Sequence, residues 1–147
     1  MFSRTSGIFL VLYLLMVLAG IQFLLLGDAS LIADVSTKIG TAVWGSFYLV
    51  GGIISTVATV LRPAMLGRIT SLWFFEVAGA SLVITANLIY TYAMYVVGSS
   101  AGRPGLFAIA TITLGLAVAM LARCVEVLGL IQYFKQYPIV VTEEDEY

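Results

Sequence analysis

The sequence predicts an all-α fold, an integral membrane bundle of four transmembrane helices. Three observations carry that expectation. Of the 147 residues, 61% are hydrophobic and only 10% are charged, at a mean hydropathy of +1.08. Soluble domains hold about 25% charged and 45–50% apolar residues. Four charge-free runs, Thr5–Gly27, Ile39–Leu61, Val77–Gly102 and Pro104–Ala122, contain 23, 23, 26 and 19 residues. About 20 apolar residues cross a bilayer core as a helix, and a helix satisfies its own backbone polar groups in lipid. Third, charged or Gly/Pro-rich stretches separate the runs.

Taken in order, the expected spans are 7–27, 39–61, 70–97 and 105–131 within one domain, 1–138, followed by an acidic cytoplasmic tail, 139–147. The first run follows Arg4 and exceeds the 7–15 apolar residues of a signal-peptide core, so it reads as a retained helix. Gly27–Lys38, with Asp28 and Asp34, joins the first two spans. Arg62-Pro63 ends the second, because proline disfavours helical conformation in the residue before it. Gly98–Gly105, dense in glycine and proline, reads as the loop between spans three and four. Glu143–Glu146 make a solvated acidic end. Four spans place both termini on one side. That side carries Arg4, Arg62, Arg68 and Lys135 against Lys38 and Arg103 on the other. Basic residues favour the cytoplasm, so the expected location is a plasma or inner membrane, multi-pass, with both termini cytoplasmic. Trp44 and Trp73, near helix starts, are expected at headgroup level, as are Tyr90, Tyr92 and Tyr95.

Composition also narrows function. The chain has no histidine, which removes the usual imidazole metal ligand and the commonest general base. Its one cysteine, Cys124, allows no intrachain disulfide and reads as a packing residue. No phosphate-binding glycine loop, catalytic triad or metal-spacing cluster occurs in the sequence. A net charge of −1 without a basic patch argues against nucleic acid as a partner. The chain is therefore expected to be no enzyme and to carry no cofactor, with the lipid bilayer as its first partner.

The polar side chains within the runs are few. Glu76 follows the start of span three by about 9 Å of helix, and Glu126 precedes Lys135 by about 14 Å. Spans three and four are antiparallel neighbours, so Glu76, Arg123 and Glu126 can meet at similar depth. Charges in a span are costly and are either functional or paired. The expectation is a charge cluster near the cytoplasmic surface that clamps spans three and four, structural first and gating second. Glu76, Ala80, Val83, Asn87 and Tyr90 share one stripe of span three. Asn87 and Gln22 read as amides bonding across helices. Small residues allow close helix approach in lipid. Gly45, Gly52, Thr56 and Thr59 in span two, and Thr111, Gly115 and Ala119 leading to Arg123 in span four, are thus candidate packing or pore-facing positions. Spans two to four are expected to make the tight contacts, with the leucine-rich first span peripheral.

Four close-spaced spans, short loops and a charged tail resemble the small four-span membrane proteins of bacteriophages, holin-like proteins among them. That resemblance implies assembly in the inner membrane and the opening of lesions. The first span lacks the carboxylate of small multidrug exporters, and a single cysteine excludes the claudin-like group. The first functional expectation is a self-associating channel or holin-like pore, a homo-oligomer with the polar stripe of span three facing the pore. The alternative is an accessory or scaffold subunit of a larger membrane complex. The third is a small ion-coupled transporter.

Overall fold

The computed structural model describes residues 4–26, 38–61 and 69–136, and all of these but 101–104 are helical. The helices are α1 (Arg4–Leu26), α2 (Lys38–Leu61), α3 (Ile69–Ser100) and α4 (Gly105–Gln136). Each contains a stretch long and apolar enough to cross a membrane: Gly7–Leu25, Gly40–Leu61, Ser71–Ser100 and Gly105–Tyr133. The last two helices outrun the expected spans, because bilayer thickness bounds a span but not the helix that continues past it. The segments at 27–37 and 62–68, and the acidic tail, lie outside the described residues, and so do the expectations placed on them.

Consecutive helices pack along their lengths, α1 on α2, α2 on α3 and α3 on α4. The residue pairing runs in opposite senses across each interface. Tyr48 meets Asn87 and Ser55 meets Glu76, so α2 and α3 are antiparallel. The ring closes through side chains. Tyr13 and Met16 of α1, Tyr48 of α2, Ala80 and Val83 of α3 and Met120 of α4 form one buried cluster.

One spacing governs all four helices. The inward residues are 9, 13, 16, 20 and 23 in α1, and 41, 44, 48, 51, 55 and 58 in α2. They are 73, 76, 80, 83, 87, 90, 94 and 97 in α3, and 106, 110, 113, 117, 120, 124, 127 and 131 in α4. Steps of three and four alternate without a break. A 3.5-residue repeat of this kind keeps one seam of each helix turned inward, as in most four-helix bundles. The outward face is apolar, with Leu18, Ile53, Phe75, Ile112, Leu121 and Val125 exposed among others, as lipid contact requires.

The repeat corrects the reading of α4. Successive steps of four drift by about 40° each at 3.6 residues per turn, so Thr111 and Arg123 stand about 120° apart. Arg123 is buried, whereas Thr111, Gly115 and Ala119 face outward, and nothing lies within 4 Å of a Cβ built on Gly115. Gly115 and Ala119 therefore make no contact with α3. α1 is the least enclosed of the four helices, yet it too makes a tight contact, with α2. A Cβ on Gly20 would meet the Leu49 nitrogen at 2.5 Å, and one on Gly52 would meet the Tyr13 oxygen at 3.0 Å. Backbone also approaches backbone between α2 and α3, where a Cβ on Gly79 would lie 2.7 Å from the Gly51 oxygen.

The turn between α3 and α4 is closed by glycine. Gly102 has φ +62°, and the Arg103 N–H donates to the Gly98 oxygen at 3.1 Å. This is a Schellman cap, whose left-handed residue tolerates a side chain poorly. Pro104 then supplies a helix-compatible φ just ahead of α4.

Replacing Gly79 with valine is expected to force α2 and α3 apart and to lower stability by about 1–3 kcal/mol or more. Gly129, with nothing within 4 Å of its built Cβ, should accept alanine without loss. Thermal denaturation of both variants in the same detergent distinguishes them.

Candidate functional site

The inward faces of α3 and α4 carry Glu76 and Arg123 at the same level, Arg123 one position before the repeat residue Cys124. Arg123 Nε donates to Glu76 Oε1 at 3.0 Å, and Arg123 Nη1 donates to Glu126 Oε2 at 2.8 Å. The Tyr13 hydroxyl of α1 donates to the same Glu76 oxygen at 3.3 Å. The Phe9 ring covers the guanidinium at 5.4 Å. From α2, Ser55 Oγ donates to the Glu76 backbone oxygen at 3.3 Å. All four helices therefore meet at Glu76, α1 and α4 at its carboxylate and α2 at its backbone oxygen, where pairing of α3 and α4 alone was expected.

Burial separates the three charges. The side chains of Glu76 and Arg123 are 1% and 2% exposed, whereas that of Glu126 is 45% exposed. Glu76 lies five residues into the apolar stretch of α3, and Tyr13 six into that of α1. Those offsets correspond to about 8–9 Å of rise inside the apolar stretches. Arg123 thus turns into the bundle rather than snorkelling to the interface, and only Glu126 reaches the outer surface. A buried charge is tolerated when it is paired and hydrogen-bonded. Each carboxylate here has a donor. One guanidinium atom, Arg123 Nη2, is buried with no acceptor among the described residues.

A second polar level stands eleven residues further along α3, about 16 Å away. Asn87 Oδ1 accepts from the Tyr48 hydroxyl at 3.0 Å, and Asn87 Nδ2 donates to the Val83 oxygen at 2.9 Å. Asn87 is thus a packing residue, enclosed by aromatic rings. Phe23 stacks on Tyr48 at 5.9 Å, and Tyr90 sets edges against Phe23 and Trp44 at 6.0 and 6.3 Å. Between the two levels lie Met16, Ala80, Val83 and Met120, all apolar and buried. A hydroxyl pair, Thr91 with Thr113 at 2.7 Å, ties α3 to α4.

Other expected positions fall differently. Gly52 packs against α1. Thr56 is half-buried on α2, its hydroxyl oxygen without a hydrogen-bond partner among the described residues. Gln22 faces outward, so it bonds no neighbouring helix. Trp44 and Trp73 are buried against Ala93 and Met94 and against Val127 and Ile131, so the indoles pack inside the bundle toward its two ends. Tyr92 and Tyr95 do face outward, and Cys124 is buried in the core. The sequence reading missed Tyr13, Phe9 and Ser55. A tyrosine on the inward repeat of an otherwise leucine-rich helix was the signal, since a buried phenol needs a partner.

The fold and this interior define a class, a multi-pass integral membrane protein of four helices with a buried charge network. Compared with protein-family models, curated proteins and solved structures, the chain matches none.

Removing one member of the buried pair strands the other. Glu76→Gln and Arg123→Gln are each expected to cost about 3–5 kcal/mol. The double variant should lose clearly less than the sum, as contacting residues do in a double-mutant cycle. Glu126→Gln should stay within about 1 kcal/mol, because that pair is partly solvated. Denaturation in one detergent measures all four.

Proposed function

We propose that the chain is a non-catalytic membrane scaffold that works by lateral association in the bilayer, as an accessory subunit of a larger membrane assembly. The observation that carries this reading is how polarity is distributed. Glu76, Arg123 and Asn87 are directed inward and matched within the bundle. The outward face is mostly apolar, with Gln22, Ser81, Thr85, Glu126 and a run of small residues on α4 among its polar or small positions. That run, Thr111, Gly115 and Ala119, is open to a helix from another chain, and small residues let helix backbones approach closely in lipid.

A holin-like, self-associating pore is the second reading, favoured by the same face of α4, since a pore begins with self-association. The polar stripe of α3 does not help it, because those side chains lie inside the bundle rather than between subunits. The transporter reading draws least support. The two polar levels are separated by an apolar layer, which interrupts any route across.

Purification in mild detergent followed by native mass spectrometry tests the proposal. A stoichiometric foreign membrane protein supports it, and Gly115→Leu should weaken that association about tenfold or more, a loss of at least about 1.4 kcal/mol. A homo-oligomer alone, with collapse of membrane potential on expression, overturns it in favour of the pore.

A further inference from the structure

We infer that the outward side of α4 docks one transmembrane helix of a partner protein, recognised by a side-chain carboxamide, asparagine or glutamine, at the level of Glu126. The inference rests on the accessory reading above and names the chemistry of the partner. Three observations carry it. The first is a second repeat. Positions 108, 112, 115, 119, 122, 126, 129 and 133 are all exposed and alternate steps of four and three. They carry the 3.5-residue spacing of the inward seam onto the other side of the helix, the spacing by which one helix packs along another. Five of the eight are alanine or glycine, so a neighbouring backbone can come close. Nothing lies within 4 Å of a Cβ built on Gly115 or Gly129, and within the chain α4 packs along its length on α3.

The second observation is Glu126 itself. Of the three charged residues within the four apolar stretches, Glu76 and Arg123 are buried and Glu126 is exposed. It stands in the second repeat, with Ala122 and Ala119 one and two turns before it. Among the described residues its carboxylate accepts from Arg123 Nη1 alone, whereas a carboxylate can accept about four hydrogen bonds. The exposed hydroxyls of Ser81, Thr85 and Thr111 make no such demand, because each donates to a carbonyl of its own helix. The third observation is Arg123. Its side chain is 2% exposed, yet Nη2 has no acceptor among the described residues. Nη1 and Nη2 belong to one planar fork, so the unfilled donor lies beside the Arg123–Glu126 bond.

An unfilled donor beside a carboxylate with spare lone pairs calls for a group that accepts and donates at once. A carboxamide does both: its oxygen takes Arg123 Nη2, its N–H groups go to Glu126, and it brings no charge into the bilayer. A lysine would supply donors without an acceptor and would stand beside a guanidinium. A carboxylate would stand beside Glu126. A second copy of this chain fits less well, because two α4 helices of the same orientation, packed about a two-fold axis, set Glu126 against its own equivalent. Glu126 lies seven residues, about 10 Å, inside the end of its apolar stretch at Tyr133, which fixes the level of the amide.

Energy transfer from the tryptophans of the full chain in liposomes to a dansylated, tryptophan-free transmembrane peptide tests this. Four leucine–alanine peptides differ at one position about 10 Å inside the membrane boundary, which carries glutamine, leucine, lysine or glutamate. The glutamine peptide is expected to associate about tenfold more tightly than the leucine peptide, with the lysine and glutamate peptides below it. Glu126→Leu should erase the glutamine preference, and Ala122→Leu should erase it too by holding the peptide backbone away. Both positions are exposed, and Ala122→Leu leaves the Arg123–Glu126 pair in place. Equal binding of the glutamine and leucine peptides, tighter binding of the lysine peptide, or a glutamine preference that survives either substitution overturns the inference. A foreign partner recovered in mild detergent without a glutamine preference in liposomes overturns the inference and leaves the accessory reading standing. A homo-oligomer alone overturns the accessory reading itself.

Discussion

Glu76 and Arg123 are buried against each other inside an apolar bundle, and much of the remaining geometry follows from that. Neither charge is tolerable alone in such surroundings. Pairing at 3.0 Å sets the register of α3 against α4, because a slip of one turn would separate the groups by about 5 Å. The Tyr13 hydroxyl extends the same constraint to α1 and Ser55 extends it to α2. A contact between two helices thereby orders four.

Close backbone approach is the second constraint. In lipid the hydrophobic effect does not drive helices together, so van der Waals packing and interhelical hydrogen bonds must. Gly20, Gly51, Gly52 and Gly79 bring α1, α2 and α3 near enough for such contact. That proximity lets the short Ser55 side chain reach the Glu76 carbonyl, and it holds Tyr48 beside Asn87. The glycines and the polar bonds therefore depend on each other. The two polar levels lie on either side of an apolar layer, so the interior is cross-linked at two heights without being wet throughout.

The arrangement of charge also frames what the bundle can do. Glu76, Arg123 and Asn87 are paired within one chain, and the surface around them is largely apolar. Glu126 joins the interior to that surface through Arg123.

Much of the architecture was legible in the sequence, because run length and the absence of charge report directly on what can cross a bilayer. Each of the four charge-free runs corresponds to one helix, and the meeting of Glu76, Arg123 and Glu126 could be argued from helical rise along two antiparallel neighbours. Facing was less legible. Steps of four along α4 placed Gly115 and Ala119 in line with the buried Arg123, whereas the 3.5-residue repeat of the bundle turns them outward. In a span that is apolar all round, hydrophobicity does not mark the inward side, so rotation about the helix axis is set by packing alone. Tyr13 illustrates the limit. Its presence in α1 is plain from the sequence, but its bond to Glu76, 63 positions away, exists only once four helices have been brought together. The sequence by itself determined how many helices there are and where along the chain each one lies. Their rotation, and with it the choice of Glu76, Arg123 and Tyr13 as one network, was decided by tertiary packing, because only close contact between helices separates an inward face from an outward one.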